Sequence, residues 1–268
     1  MSDSHPDQMQ PFRRPVAYKN LAFLESSDGR EIRILSEYLH PLSHLRDVKI
    51  LDTVVFFGSD RIHVEGPLAR YYAEARELAR IFTEWSESLP DESRRFVVCT
   101  GGGPGIMEAA NRGSADAGGK SIGLNIGLPY EQWPNPFVTP GLSFEFHYFF
   151  MRKFWFAYPA RAMVVFPGGF GTMDEMFEML TLMQTQKIEG KIILVLYGTE
   201  YWRKVLNFDA LVEFGTISAS DLQLFQEAND PQTALDLLKD GLTKYYLNAE
   251  PIVSEPEAET PTLARSRV

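Results

Sequence analysis

The sequence predicts an α/β protein with one doubly wound, mainly parallel sheet and helices on both faces. Apolar, β-rich runs alternate with helical patterns along the chain, and the connections between them are short. Two glycine-rich turns, Gly101–Gly105 and Pro167–Thr172, each stand directly between a predicted strand and a predicted helix. This alternation is typical of a parallel sheet that helices cover on both sides. We therefore expect one domain over residues 31–248, between a loosely ordered extension at 1–30 and a disordered tail at 249–268.

The elements are predicted from the period of the apolar residues and from turn residues. The leading helix is Glu31–Arg46, with Pro41 as a candidate break and with apolar residues near helical spacing at Ile32, Leu35, Leu39 and Leu42. The predicted strands are Leu51–Phe57, Phe96–Thr100, Ser121–Ile126, Phe144–His147, Ala162–Phe166 and Lys191–Leu196. The other predicted helices are Pro67–Leu89, Ile106–Ala117, Tyr148–Tyr158, Thr172–Gln186, Tyr201–Phe214 and Pro231–Leu247. Proline suits the first position of a helix and glycine its end, as at Pro67 and Gly118.

The composition argues against several classes of function. The net charge of −10 among 268 residues disfavours non-specific nucleic-acid binding, which needs a basic face. No apolar run reaches the ~20 residues that span a bilayer, and residues 1–15 lack the apolar core of a signal peptide. Cys99 is the single cysteine, so neither a disulfide nor a Cys-x-x-Cys site can form within one chain. We expect a cytoplasmic protein with no metal, no nucleic-acid partner and no membrane association.

The two glycine turns indicate a phosphorylated small molecule as the ligand. Glycine lets backbone N–H groups approach an anion, and a helix N-terminus adds about half a positive charge. The first turn does not match the dinucleotide pattern G-x-G-x-x-G, because its sixth residue is Ile106, and a Walker A pattern is absent. Neither NAD binding nor ATP hydrolysis is therefore favoured. The alternative is that each turn is only a tight connection.

Glu175 has two competing interpretations. The segment Thr172–Glu175 has the T-x-x-E spacing of a capping box, in which Glu175 would bond back to the backbone of Thr172. A functional interpretation instead puts Glu175 beside the phosphate turn, facing the sugar of a ligand. Spacing alone favours the cap.

Arg152 and Lys153 lie in a very apolar predicted helix. An unpaired buried cation costs several kcal/mol, so each of them needs an anion or a route to water. Arg152 could reach a phosphate, a base or Glu175, or one of the two cations could extend to the surface at a helix edge. The exposed part of the aromatic face around them would suit a dimer contact.

Weaker candidates stand near the carboxyl ends of other strands, where parallel sheets build ligand crevices. Ser59 and Arg61 follow the first strand of the sheet, and His147 ends the fourth. Glu108 and Asn111 share one face of the helix after the first glycine turn. The competing interpretations are an ordinary turn, a structural histidine and a solvated helix start.

Three segments together resemble the LOG family, the cytokinin-activating "lonely guy" group that was long mislabelled as lysine decarboxylases. They are GGGPGIMEAAN at 101–111, MRK at 151–153 and PGGFGTMDE at 167–175. The resemblance covers about residues 50–247. Its most specific part is PGGxGTxxE with an Arg-Lys pair upstream.

The resemblance implies a Rossmann-like fold, a homodimer or larger oligomer, and a phosphoribohydrolase that needs no cofactor. Such enzymes hydrolyse the N-glycosidic bond of a nucleoside 5′-monophosphate to a free base and ribose 5-phosphate. The family's catalytic residues correspond to Arg152 and Glu175, which reverses the preference for Glu175 as a cap. Its phosphate loop corresponds to Gly168, Gly169, Gly171 and Thr172. Further substrate-binding candidates are Lys153, Gly102, Gly103, Glu108, Ser59 and Arg61.

Three questions stay open on the sequence. This chain carries an N-terminal extension that compact members lack, so AMP or another purine monophosphate is as good a candidate substrate as a cytokinin precursor. A non-catalytic carrier of a nucleotide or phosphorylated cofactor is the main rival, although the presence of both Arg152 and Glu175 favours catalysis. A decarboxylase would need pyridoxal phosphate on a lysine, and Lys120, Lys153 and Lys187 have no recognisable context for it.

Overall fold

The computed structural model describes residues 14–90, 96–127, 133–188 and 190–248. Within these ranges, seven strands form one parallel sheet. They are β1 (Thr53–Phe57), β2 (Val97–Thr100), β3 (Ser121–Ile126), β4 (Ser143–Phe146), β5 (Ala160–Val165), β6 (Ile193–Tyr197) and β7 (Gln226–Ala228). The α/β fold with a parallel sheet is the predicted one, and it is confirmed.

The strand order places a crevice beside β1. The order is β4-β3-β2-β1-β5-β6-β7, so the chain runs outward from β1 to β4 and then returns to the other side of β1 as β5. β1 and β5 pair from Thr53 to Phe57. Beyond their carboxyl ends the connections leave in opposite directions, which opens the ligand crevice of doubly wound sheets.

Helices cover both faces of the sheet. They are α1 (Leu21–Leu24), α2 (Arg30–Asp47), α3 (Ala69–Glu87), α4 (Ile106–Asp116), α5 (Phe149–Ala157), α6 (Phe170–Gln184), α7 (Thr199–Val205), α8 (Phe208–Glu213) and α9 (Pro231–Leu242). Alternate residues of β1 enter two different cores, because successive strand side chains point to opposite faces. Val54 and Phe56 join the core under α3, α4 and α9, whereas Val55 and Phe57 join the core under α2, α5 and α6.

Three elements differ from the prediction. Strand β7, with the sequence QEA, was missed because three mostly polar residues carry no β pattern. The predicted helix over 201–214 is two helices, since the chain becomes extended at Leu206 and Asn207 then caps α8. Pro41 lies inside α2 without ending it.

The segment before β1 is more ordered than the sequence predicted. Residues 17–29 form α1 between two 3-10 turns, although they fall in the extension expected to be loosely ordered. In α2, Ile32, Leu35 and Leu39 are about half exposed. Tyr38 and Leu42 pack instead against the core shared with α5. The predicted tail at 249–268 lies outside the described residues. No described helix has the length and apolar character needed to cross a membrane.

Candidate active site

The second glycine turn is open to solvent. Helix α6 begins at Phe170, with Gly169 as its N-cap, and the first bond within the helix runs from the Met173 amide to the Gly169 carbonyl, 3.0 Å. The amides of residues 170–172 therefore have no acceptor within the helix. A Cβ added at Gly169 or Gly171 would meet nothing within 4 Å, and the Phe170 side chain is 93% exposed. An anion can reach these amides and the positive end of the helix dipole.

The capping-box interpretation of Thr172 is wrong. Because α6 starts two residues earlier, Thr172 belongs to its first turn, and no side chain caps the helix. Thr172 packs instead against Gly168, where any Cβ would collide with the threonine hydroxyl. Glu175 lies on the next turn of α6 and forms an ion pair with Lys153.

Lys153 is held by three carboxylates. Its Nζ lies 2.7 Å from Glu178, 2.9 Å from Asp174 and 3.2 Å from Glu175. Burial acts to lower the pKa of Lys153, but the hydrogen bonds to Asp174 and Glu178 and the charge of Glu175 outweigh it, so the pKa is raised. Lys153 was predicted to bind substrate. Its contacts in the structure are with these three carboxylates, Glu175 among them.

Glu175 is a buried carboxylate with a perturbed pKa. Its side chain is 9% exposed. Burial raises its pKa, and the neighbouring charge and hydrogen bond of Lys153, with a smaller contribution from Arg152, act in the opposite direction. A shielded carboxylate of this kind interacts strongly with charge that develops nearby.

Arg152 lies against the first glycine turn, within electrostatic range of Glu175. Its Nε donates to the Leu124 carbonyl of β3, 2.7 Å, and its guanidinium stacks over Phe156 at 5.1 Å. A Cβ on Gly101 would come within 2.6 Å of its Nη2. Burial lowers the pKa of Arg152, whereas the charge of Glu175 raises it. A guanidinium remains charged at neutral pH and can donate hydrogen bonds but not a proton.

The first glycine turn is closed by its own contacts. The Gly102 amide donates to Thr100 Oγ1, 2.9 Å. Asn135 Nδ2 donates to the carbonyls of Gly102 and Gly103, 3.1 and 3.0 Å. Gly105 has a φ of +70°, and a Cβ there would collide with the Ser59 backbone. The turn therefore forms a packed wall of the crevice.

A cavity of about 270 Å³ opens at the crevice between β1 and β5. Four predicted site residues line it, Ser59, Arg61, Gly168 and Gly169, together with Ile62, His63, Glu65, Pro67, Leu68, Ala69, Pro167 and Tyr201. The Ser59 amide donates to the Pro167 carbonyl, 3.0 Å, which joins the two sides. The lining does not include Arg152, Lys153 or Glu175. The second glycine turn therefore adjoins two separate regions, the cavity and the group of buried charged residues.

The other predicted residues are not part of the cavity lining and have contacts of their own. Glu108 accepts a hydrogen bond from Tyr72 on α3, 2.7 Å. Asn111 is fully buried, and its Oδ1 accepts from Thr100 and Asn135. The His147 amide donates to Glu37 on α2, 2.8 Å. Among the described residues no group of three or more metal-ligating side chains is positioned to hold an ion.

Sequence reasoning missed Tyr201 and Asn135. Tyr201 lines the cavity, and its hydroxyl donates to the Gly168 carbonyl, 2.8 Å. Its position just after β6, at the carboxyl edge of the sheet, was a signal that could have identified it. Asn135 carried no such signal, since its partners lie 24 to 33 residues away.

Comparisons with known proteins found a family model and a curated relative that match this chain. A family model described as "Possible lysine decarboxylase" matches residues 107–238, which include Arg152, Glu175 and the second turn. The chain is 28% identical over 199 residues to "Probable cytokinin riboside 5'-monophosphate phosphoribohydrolase LOGL3" of Oryza sativa subsp. japonica, a match that covers 70% of this chain and 83% of the relative.

Many solved structures are similar to this chain, TM1055 and a molybdenum cofactor carrier protein among them. The X-ray structure of TM1055, a structural genomics target, has a TM-score of 0.49 at 19% identity and covers 70% of this chain and 99% of that one. The molybdenum cofactor carrier protein MCP from Chlamydomonas reinhardtii has a TM-score of 0.48 at 21% identity and covers 72% of this chain and 98% of that one.

Proposed function

From the premise that the chain belongs to the LOG family, we propose that it is a nucleoside 5′-monophosphate phosphoribohydrolase. It hydrolyses the N-glycosidic bond of AMP or a related purine monophosphate, such as a cytokinin riboside monophosphate, to free base and ribose 5-phosphate. The observation that carries the proposal is the buried Glu175 carboxylate, which is paired with Lys153, is within electrostatic range of Arg152 and lies one helical turn after an open glycine turn.

The open turn supports binding of the 5′-phosphate. The free amides of residues 170–172 and the dipole of α6 suit a phosphate group, and Gly169 and Gly171 leave room for it. Ser59 and Arg61, across the cavity, add a hydroxyl and a cation on the other side. A ribose attached to this phosphate would extend toward Glu175.

Glu175 is the residue we assign to the bond-breaking step. Departure of the base develops positive charge at C1′, as in other glycoside hydrolyses. An ionised, shielded carboxylate either stabilises that charge or orients the attacking water. Arg152 stays protonated, so its role is to bind and polarise the substrate.

The residues do not fit a pyridoxal phosphate enzyme. A lysine that forms a Schiff base must reach the neutral amine form, whereas three carboxylates raise the pKa of Lys153. Lys120 directly precedes β3, and Lys187 follows the end of α6, so both lie toward the amino edge of the sheet, away from the crevice.

We also propose a homodimer formed through the aromatic surface of α5 and α6. Phe149, Phe150, Phe170 and Phe177 are each between 38% and 93% exposed and flank the residues assigned to catalysis. Exposed apolar patches of this kind mark protein contacts. Light scattering at micromolar concentration gives twice the chain mass if this assignment holds.

A panel of nucleoside 5′-monophosphates tests the activity, with free base and ribose 5-phosphate both measured by chromatography. We expect equal amounts of the two products from at least one purine monophosphate, and none from adenosine, which lacks the phosphate. Glu175→Gln should lower turnover about 10²–10³-fold, the usual cost of losing one charge-stabilising group. The control Glu77→Gln, an exposed carboxylate on α3, should keep full activity. Tight nucleotide binding without release of base would identify a carrier instead.

A further inference from the structure

Helix α2 contacts the N-terminus of α5, the helix that carries Arg152. The Glu37 carboxylate of α2 accepts hydrogen bonds from the amides of His147, 2.8 Å, and Tyr148, 3.2 Å. Tyr148 is the N-cap of α5, so its amide is one of those that lack an acceptor within that helix, and His147 directly precedes it. A carboxylate at this position also interacts favourably with the helix dipole.

The backbone of Glu37 contacts α5 as well. The Glu37 carbonyl would ordinarily accept a bond from the residue four positions later, but that residue is Pro41, which has no N–H. The indole Nε1 of Trp155 donates to this carbonyl instead, 3.0 Å. Trp155 is 2% exposed and lies seven residues after Tyr148, so Glu37 contacts α5 at two points about two turns apart.

Arg152 lies between these two contact points. Its amide donates to the Tyr148 carbonyl, 3.2 Å, and its Nε donates to the Leu124 carbonyl. Its guanidinium has little freedom, because Gly101 is close on one side and Phe156 on the other. A small rotation or translation of α5 would therefore move the guanidinium relative to Glu175.

We propose that Glu37 is a positioning residue for Arg152: through its carboxylate and its carbonyl, α2 fixes the rotation and height of α5. This inference rests on the proposed function for its effect on turnover, although the placement of Arg152 is testable without it. Glu37 itself does not touch the substrate. A second contact of α2, from Arg33 Nε to the Tyr148 hydroxyl, 3.2 Å, acts at the same end of α5.

Steady-state kinetics of the full chain test the catalytic effect. Glu37→Ala should lower kcat about tenfold, because misplacing a catalytic group by a fraction of an ångström is costly. KM should change less than about twofold, since the phosphate turn lies on α6. Glu37→Gln keeps an amide oxygen that can accept one bond and should recover part of the loss. Leu235→Ala, a buried position in α9 on the opposite face of the sheet, controls for general destabilisation and should keep kcat.

A spectroscopic readout tests the placement of Arg152 independently of activity. The Nε–H of Arg152 is bonded to the Leu124 carbonyl, so its resonance in arginine-labelled protein, identified by its loss in Arg152→Lys, should exchange slowly with water. Glu37→Ala should accelerate this exchange about tenfold or more, and Leu235→Ala should not. If the wild type released no base, the proposed function would fail while this measurement still decided the role of Glu37.

Unchanged exchange and unchanged kcat in Glu37→Ala would overturn the inference, as would equal losses in Glu37→Ala and Leu235→Ala. If Glu37→Ala does not fold, Trp155→Phe removes only the indole donor to the Glu37 carbonyl. Trp155→Phe should then lower kcat and accelerate exchange of the Arg152 Nε–H, each by less than is expected for Glu37→Ala. A wild-type result for Trp155→Phe and Glu37→Gln together would equally overturn the inference.

Discussion

The two glycine turns have the same local context and opposite environments. Both follow a strand of the sheet and precede a helix, yet the glycines of the first turn are buried whereas Gly169 and Gly171 of the second are exposed. At the first turn, added Cβ atoms at Gly101, Gly102 and Gly105 would each collide with a neighbour. At the second, Gly169 and Gly171 face open space. Glycine thus permits close packing at the first turn, and at the second it packs Gly168 against Thr172 while Gly169 and Gly171 keep access free.

The two glycine turns therefore contribute to the crevice in different ways. Paired turns suggest paired anion sites, but in the first turn the Gly102 amide and the carbonyls of Gly102 and Gly103 are already bonded to Thr100 and Asn135. Its contribution is to hold the guanidinium of Arg152 in place through Gly101. The second turn is where we propose that the phosphate binds.

Asn135→Ala should destabilise the protein through the first turn. Asn135 is buried, and its amide group bonds the carbonyls of Gly102 and Gly103 and the side chain of Asn111. Leaving these acceptors buried without a donor should lower the free energy of unfolding by about 2–3 kcal/mol. Urea denaturation measures this loss, and a change below about 0.5 kcal/mol, the range of ordinary surface substitutions, would contradict the structural role.

Gly101→Ala should impair turnover while leaving the fold intact. The added Cβ would come within 2.6 Å of Arg152 Nη2 and 2.8 Å of Met107 Sδ, which are side-chain and not backbone atoms, so the guanidinium is displaced while the backbone of the turn can stay in place. We expect a drop in kcat of about 10-fold or more from the displaced guanidinium. Gly171→Ala, at the open turn, should instead raise KM with little effect on kcat. If Gly101→Ala instead raised KM and Gly171→Ala lowered kcat, the roles assigned to the two turns would be reversed.

Lys153→Met should move the acidic limb of the kcat/KM profile to higher pH. Burial already raises the pKa of Glu175, and the charge of Lys153 opposes that rise. Removing the charge raises the pKa further, so the active, ionised form is lost at a higher pH as the solution is acidified. Lys204→Met, which breaks only an exposed ion pair with Glu200, is the control. A limb that moves downward or stays in place would argue against ionised Glu175 as the active form.

Tyr201→Phe should have the smallest effect. It removes the hydrogen bond from the Tyr201 hydroxyl to the Gly168 carbonyl, and a typical neutral bond contributes about 0.5–1.5 kcal/mol. We expect affinity for ribose 5-phosphate to fall about 2- to 10-fold, as measured by calorimetry. Wild-type affinity would mean that the turn holds its shape without Tyr201.

Much of the fold could be predicted because strands such as Thr53–Phe57 are continuous apolar runs and the glycine turns mark their ends. The candidate site was predictable only where its residues belong to short local motifs, as at 151–153 and 167–175. Thr172–Glu175 matches both a capping box and a catalytic motif. Only the start of α6 at Phe170, which the structure shows, rules out the capping box. The contacts of Asn135 and Glu37 join residues far apart in the chain, so no local pattern could indicate them.

The most direct test of the distinction between the turns is a titration with ribose 5-phosphate, followed by the amide resonances of glycine-labelled protein. We predict that the signals of Gly169 and Gly171 shift with saturation while those of Gly101–Gly103 shift little, and that ribose without phosphate leaves both turns unchanged. Saturating shifts at Gly101–Gly103 with none at Gly169 and Gly171 would contradict the assignment of the phosphate to the second turn.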